Sequence, residues 1–250
     1  MHPLRLIATL MLLLAAVPVY AQDLATTCHA TSSYDVTLNP DSIVFDRATP
    51  APSRVELKHG SLYTNGASVR LNAENQDRTT LFERDLRALA PRVRAVAQNG
   101  VDMAVQAVRA ESGGMGLSAE TRSELDQRLN AHASELKQRI AASRSTHDWD
   151  GDATNQYANQ IASDLMPLIA GDLGQQAIDA ALSGDLQAAA SLRDRAASLT
   201  TEMQPRLLRR MQALRPQIQA LCPSIQELVD LQQDIRDSNG RPLDLIQTSR

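Results

Sequence analysis

The stretch Ser61-Leu62-Tyr63-Thr64-Asn65-Gly66-Ala67-Ser68-Val69-Arg70-Leu71 decides how this chain is built. Asn-Gly supplies the two positive φ angles of a type I′ turn, and the arms beside it alternate apolar with polar residues, so the stretch predicts a β-hairpin. A hairpin alone is marginal in water, so it must belong to a larger sheet packed on something else. Just upstream, Tyr34-Asp35-Val36-Thr37-Leu38, Ser42-Ile43-Val44-Phe45 and Val55-Glu56-Leu57 are short β-like runs separated by Asn39-Pro40 and by Pro50 and Pro52, and they read as the other strands.

Beyond Asn72 the pattern turns helical. Thr80-Leu81-Phe82-Glu83 has capping-box spacing, and Phe82, Leu86, Leu89, Val93 and Val96 recur at steps of four and three, which predicts a helix to about Arg109. Pro91 and Asn99-Gly100 are places where it would kink or divide, and Gly113-Gly114-Met115-Gly116 ends it. A second helix starts near Ser118 or Thr121 and carries Leu125, Leu129, His132, Leu136 and Ile140 on one face, stopping between Ser143 and Asp152. A third holds Ile161, Leu165, Leu168, Ile169 and Leu173 and runs on through an Ala-rich tract to a break at Ser183-Gly184-Asp185.

The last segment has the longest seam: Leu192, Ala196, Leu199, Met203, Leu207, Met211, Leu214, Ile218, Leu221, Ile225 and Leu228. Its alternating steps of four and three are coiled-coil-like, and the same seam could join two copies of the chain into a homo-oligomer. Pro205, Pro216 and Pro223 are bending points; Ser224-x-x-Glu227 after Pro223 looks like a fresh helix start, so the seam is expected to break near Cys222.

The expected fold class is α+β, mainly α. Residues 1–21 are a signal peptide, 22–73 a small antiparallel β module, and 74–250 a long-helix bundle on which the module packs as one structural unit. The signal is read from Arg5, the apolar run Leu6 to Val17 and the exit Val19-Tyr20-Ala21, and it places the protein in the periplasm. The mature chain holds no run of about 20 apolar residues and so no transmembrane segment. Cys28 lies too far beyond Ala21 to be a lipid-acceptor cysteine.

In an oxidising compartment Cys28 and Cys222 are expected to form a disulfide, and with no CxxC the chain does not read as a thiol oxidoreductase. The formal charge of −4 becomes −5 when Arg5 leaves with the signal, which argues against a nucleic-acid partner.

Cys28, Val36-Thr37-Leu38-Asn39-Pro40, the Lys58-His59-Gly60-x-Leu62-Tyr63-x-Asn65-Gly66 hairpin, Phe82-Glu83 with Leu86-Arg87, the Ser183-Gly184-Asp185 break and the second cysteine together resemble the YggN-like family of secreted bacterial envelope proteins. The resemblance covers most of the mature chain. It implies an envelope location and an uncharacterised activity, with no catalytic residues assigned.

Chemistry-bearing residues are sparse. The densest cluster is His147-Asp148-Trp149-Asp150-Gly151-Asp152. As a calcium loop from Asp148 it has oxygens at the first, third and fifth positions, but Ala153 stands where Gly is needed and Asn159 where the bidentate Glu is needed, so an EF-hand is rejected. A looser metal site using His147, Asp148, Asp150 and Asp152 would make the protein a metal-dependent hydrolase; the plainer reading is an interhelical loop whose carboxylates cap helices while Trp149 covers a bundle end.

Ser134-x-x-Lys137 has the spacing of a serine β-lactamase motif, with Lys58-His59-Gly60 in the wrong order to complete it. His132-x-x-Glu135 reverses the di-iron Glu-x-x-His pattern, and His132 reads as bordering the core. His29 and His59 could meet in space, although two surface histidines is the plainer reading. The chain has no G-x-S-x-G, H-E-x-x-H, P-loop or dinucleotide fingerprint, and the six aromatic residues left after signal removal are too few for stacking platforms. Only Lys58 and Lys137 are lysines; the many arginines would suit carboxylate or phosphate pairing, with genome composition as the plainer cause.

No catalytic residue and no cofactor is therefore assigned. The leading expectation is a non-enzymatic interaction or chaperone-like module that binds an envelope protein partner, with Met203 and Met211 as adaptable contact residues.

Overall fold

The computed structural model describes residues 26–194, 209 and 212–248. The signal-peptide reading of residues 1–21 and the seam positions Ala196, Leu199, Met203, Leu207 and Met211 lie outside them. The described residues fall into two compact units, one made of 26–97, 141–150 and 215–248, the other of 98–140, 151–194, 209 and 212–214.

The first unit is built on a five-stranded antiparallel sheet in sequential order: β2 Asp35–Leu38, β3 Ile43–Asp46, β4 Arg54–Lys58, β5 Ser61–Thr64 and β6 Ala67–Val69. A short strand β1, Ala30–Thr31, precedes it. The β5–β6 turn forms at Asn65-Gly66 with φ of 51° and 82°, as a type I′ turn requires. The β4–β5 turn uses His59 (φ 50°) and Gly60 (φ 75°), so His59 is an exposed turn residue. Val55 and Leu57 of β4 face Thr64 and Leu62 of β5 across the ladder, and period-two alternation sends this set to one buried face.

That face packs on helices. α1 spans Ala73–Gly114, and its Phe82 and Leu89 are buried with Ile43, Phe45, Val55, Leu57 and Leu62 in one core. The helix begins earlier than the Thr80–Glu83 spacing implies. Asn72 is the cap: its Oδ1 accepts from the Asn75 N–H at 2.7 Å, whereas the Thr80 hydroxyl donates back to the Gln76 carbonyl at 2.9 Å, as a mid-helix threonine does. Pro91 and Asn99-Gly100 do not divide the helix; residues to Ala97 belong to the first unit and the remainder to the second.

The C-terminal residues depart from the helical expectation. α4 (Arg215–Gln219) stops, and α5 (Cys222–Gln232) restarts with Pro223 in its first turn, so the seam breaks where the prolines predicted. No side chain caps α5, and Ser224 instead accepts a hydrogen bond from Arg92 at 2.7 Å. After α5 the chain turns around Asp237, whose carboxylate accepts from the backbone N–H groups of Asn239 and Arg241 and from the Arg241 guanidinium.

The chain then sends Leu243 and Leu245, both fully buried, into the same sheet core. It then forms β7, Gln247–Thr248, paired antiparallel with β1. Gln232 holds this tail by acting as a strand neighbour would: its amide bonds both the N–H and the carbonyl of Ile246. The Cys28–Cys222 disulfide is formed, tying the start of the β region to the first residue of α5.

The second unit is helical. α2 spans Ala119–Ala142, capped by Ser118, which accepts from the Thr121 N–H at 3.1 Å; Thr121-x-x-Glu124 therefore lies inside the helix. α3 spans Gly151–Leu182. Leu125 and Leu129 of α2 pack with Leu165, Ile169 and Leu173 of α3 and with Met115 and Leu117. The break after α3 is a Schellman closure: Gly184 (φ 84°) donates to Ala181 O and Asp185 to Ala180 O. Residues 186–194 are again helical. Among the described residues no helix is long and apolar enough to cross a membrane.

Two outcomes follow for the sheet unit. Replacing both cysteines, Cys28→Ser/Cys222→Ser, opens a loop with a sequence separation of 194 and should cost several kcal/mol, about 5 in the chain-entropy limit, read by urea unfolding; hydrogen exchange should show the loss first at β1 and β7. Gly60→Ala should destabilise by about 1–3 kcal/mol, because a Cβ there meets Thr80 Oγ1 at 2.3 Å at a φ of +75°. Gly66→Ala, with open space around it, should cost about 1 kcal/mol. Equal costs at the two glycines would show that the turn, and not the approach of α1, sets the constraint.

Candidate functional site

The His147–Asp152 cluster is a clasp on the edge of the sheet. Ser145 and Asp148 cap a short 3₁₀ turn, Thr146–Trp149, reciprocally: Ser145 Oγ accepts from the His147 N–H, and Asp148 Oδ2 accepts from the N–H groups of Arg144 and Ser145. The Trp149 indole donates to Ser143 Oγ at 2.9 Å. The same segment covers strand β2, whose Leu38 N–H donates to Arg144 O at 2.8 Å while Val36 N–H donates to Thr146 Oγ1.

An open edge strand invites pairing with other chains, and residues 144–146 occupy this one. His147 is largely exposed, with Nδ1 3.5 Å from Asp35 Oδ2 and 4.0 Å from Asp150 Oδ2. Asp148 is turned to the backbone and Asp152 stands in the first turn of α3. Among the described residues no three His, Cys, Asp or Glu side chains are grouped closely enough to hold a metal ion.

The densest polar constellation is elsewhere, half-buried between α2 and α3. His132 does not pair with Glu135. Its Nε2 lies 2.9 Å from Asp164 Oδ2, and Arg128, one turn earlier, donates to Asp164 Oδ1 at 2.7 Å and reaches back to Glu124. The Tyr157 hydroxyl donates to the His132 carbonyl at 3.0 Å.

The imidazole bond, with help from the Arg128 guanidinium, holds the Asp164 carboxyl below its ordinary range. Farther along α3, burial raises the Asp172 carboxyl, but the Ser118 N–H and the hydroxyls and amide of Ser118, Thr121 and Gln176 outweigh it and the group is lowered. These are carboxylates kept ionised to accept bonds that fix one helix against the other. Glu124, Arg128 and His132 recur at intervals of four along α2, which was readable; their partner Asp164 was not, because only the packing brings it there.

Lys137 of the Ser134-x-x-Lys137 motif pairs with Asp102. Among the described residues every buried side-chain nitrogen and oxygen has a hydrogen-bond partner. What the second unit leaves unsatisfied is apolar: Ile178, Leu182 and Leu186 at the end of α3 and across its closing turn are 54%, 83% and 72% exposed.

These features define an α+β protein with an edge-clasped sheet, a helical second unit and structural polar networks. The chain belongs to the family described as a protein of unknown function (DUF2884), which matches residues 28–245, from the first disulfide cysteine to the buried Leu245. No curated protein and no solved structure matches it significantly.

The lowered carboxylates make a prediction about acid. A carboxyl lowered in the folded state contributes stability that is complete above its unfolded value, near 3.8 for Asp164 and Asp172, and is lost as pH falls through the lower folded value. The second unit should therefore weaken below about pH 4, and Asp164→Asn should lower its unfolding midpoint at neutral pH while flattening that acid slope. A slope unchanged in the variant would show that Asp164 is not among the groups responsible.

Proposed function

We propose that this protein is a periplasmic, non-enzymatic binding module of the cell envelope, chaperone-like in offering an apolar helical surface to another protein. The observation that carries the reading is the exposure of Ile178, Leu182 and Leu186. Ile178 and Leu182 lie one helical turn apart on an Ala-rich helix and Leu186 follows across its closing turn; all three are mostly exposed in their own unit, and such side chains are the anchors of helical recognition surfaces.

Two further points support it. The carboxylates of Asp148, Asp164, Asp172 and Asp237 are engaged in caps and clamps, a structural use that a binding module accommodates. The likeness to YggN-like secreted proteins, the signal-like residues 1–21 and the disulfide agree with an envelope location, where thiols oxidise.

The experiment is site-directed photo-crosslinking in the native envelope, with the photoreactive residue at Leu182 and, as control, at Glu74. Discrete protein adducts from Leu182 that are absent from Glu74 support a binding module, and a broad ladder of adducts supports a chaperone. Adducts from neither position would remove the reading.

A further inference from the structure

The stretch of chain around Ile178, Leu182 and Leu186 is acidic as well as apolar, with Arg193 the first cation after it. Between Ser145 and Leu192 the sequence contains no lysine and no arginine, while Asp148, Asp150, Asp152, Asp164, Asp172, Asp179 and Asp185 all fall in that span. The inner members are committed: Asp164 to Arg128 and His132, Asp172 to Ser118, Thr121 and Gln176.

Among the described residues, the two beside the apolar side chains have uncharged partners. Asp179 accepts from the Gln175 amide at 2.9 Å, and Asp185 accepts from the Ala188 N–H at 2.9 Å, where it answers the positive end of the helix beginning at residue 186. α3 itself ends at Leu182, so the negative end of its dipole lies at the same place. The Schellman closure holds Leu182 and Leu186 on either side of a fixed turn, which lowers the ordering cost of binding.

We infer that this corner of the second unit is a docking surface for a basic amphipathic segment of another protein, with the partner's apolar face on Ile178, Leu182 and Leu186 and its lysines or arginines against Asp179 and Asp185. The inference rests on the binding reading above and gives it a partner chemistry. Charge complementarity selects the occupant: the carboxylates disfavour an acidic helix, an anionic membrane surface and nucleic acid, all of which carry the same sign, and they leave a cationic apolar chain as the fit.

The test uses the full mature protein with its disulfide formed and two synthetic probes, a Leu/Lys amphipathic helix and its Leu/Glu twin, followed by fluorescence anisotropy. The Leu/Lys helix should bind at least about tenfold more tightly than the twin and weaken with added salt. Asp179→Lys/Asp185→Asn, which keeps a side chain able to cap residue 188, should remove that preference. Leu182→Ser/Leu186→Ser should weaken the Leu/Lys helix at unchanged salt dependence. Circular dichroism on both variants checks that the helices remain.

Equal binding of the two peptides, a preference that survives the aspartate changes, or sedimentation of the protein with anionic vesicles would each overturn the inference. Discrete crosslinks from Leu182 together with equal peptide binding would leave the binding module standing and remove only its proposed partner chemistry.

Discussion

A sheet of strands three to five residues long has one apolar face and no means of burying it alone. Ile43, Phe45, Val55, Leu57 and Leu62 are buried because chain from widely separated places arrives on that face: Phe82 and Leu89 from α1, Leu221 and Leu228 around α5, and Ile235, Leu243 and Leu245 from the tail. At about 25 cal/mol per Å² of apolar surface this burial drives the unit together, but long-range closure costs entropy that local contacts do not. The disulfide between Cys28 and Cys222, the β1–β7 pair and the Gln232 bonds to Ile246 all act on that closure, each joining residues distant in sequence or pinning the tail that completes the core.

Arginine has a consistent part in the same closure. Along the first half of α1, Arg87 donates to Asn39 O at 2.7 Å, Arg92 to Ala220 O at 2.9 Å and Arg94 to Ser143 O at 2.7 Å. Asn39 follows β2, Ala220 follows α4 and Ser143 follows α2, so each guanidinium meets a carbonyl just past the end of an element, where backbone acceptors lack regular partners. A planar fork with several donors can satisfy such a carbonyl and a second acceptor together, as Arg92 does with Ser224 Oγ, and a lysine ammonium does so with less geometric control. The excess of arginine over lysine thus has a structural use in this unit, whatever set the composition.

Local signals were legible in the sequence and non-local ones were not. Asn65-Gly66, the strands before it, the Gly184 break and the restart at Pro223 are dictated within a few residues by φ preferences and missing N–H groups, and each is found. The capping-box spacing misled at Thr80 because it recurs inside helices, and the true start at Asn72 needed only the residue just before the helix; of the two starts offered for α2, Ser118 is the cap and Thr121 lies inside, while α5 restarts at the expected place with proline in place of a side-chain cap. The tail from Asp237 was invisible because nothing in Leu243-Asp244-Leu245 says which sheet it will join. The His147–Asp152 cluster drew attention as chemistry, yet the bonds of Asp148 and Trp149 are those of a loop cap, the reading its Asp and Ser content also allowed.

The contrast within α3 bears on function. Its inner half presents Leu165, Ile169 and Leu173 to the core and Asp164 and Asp172 to partners on or before α2, so every strong group there has an assignment. Its outer end and the turn beyond it repeat the same vocabulary, aliphatic residues with aspartates beside them, but Ile178, Leu182 and, past the turn, Leu186 are mostly exposed. Exposure on this scale costs solubility and offers no compensating packing within the unit. A helix that extends past its own core with the residue types of a buried face is built like half of an interface, and the aspartates that flank it determine which other half would be tolerated.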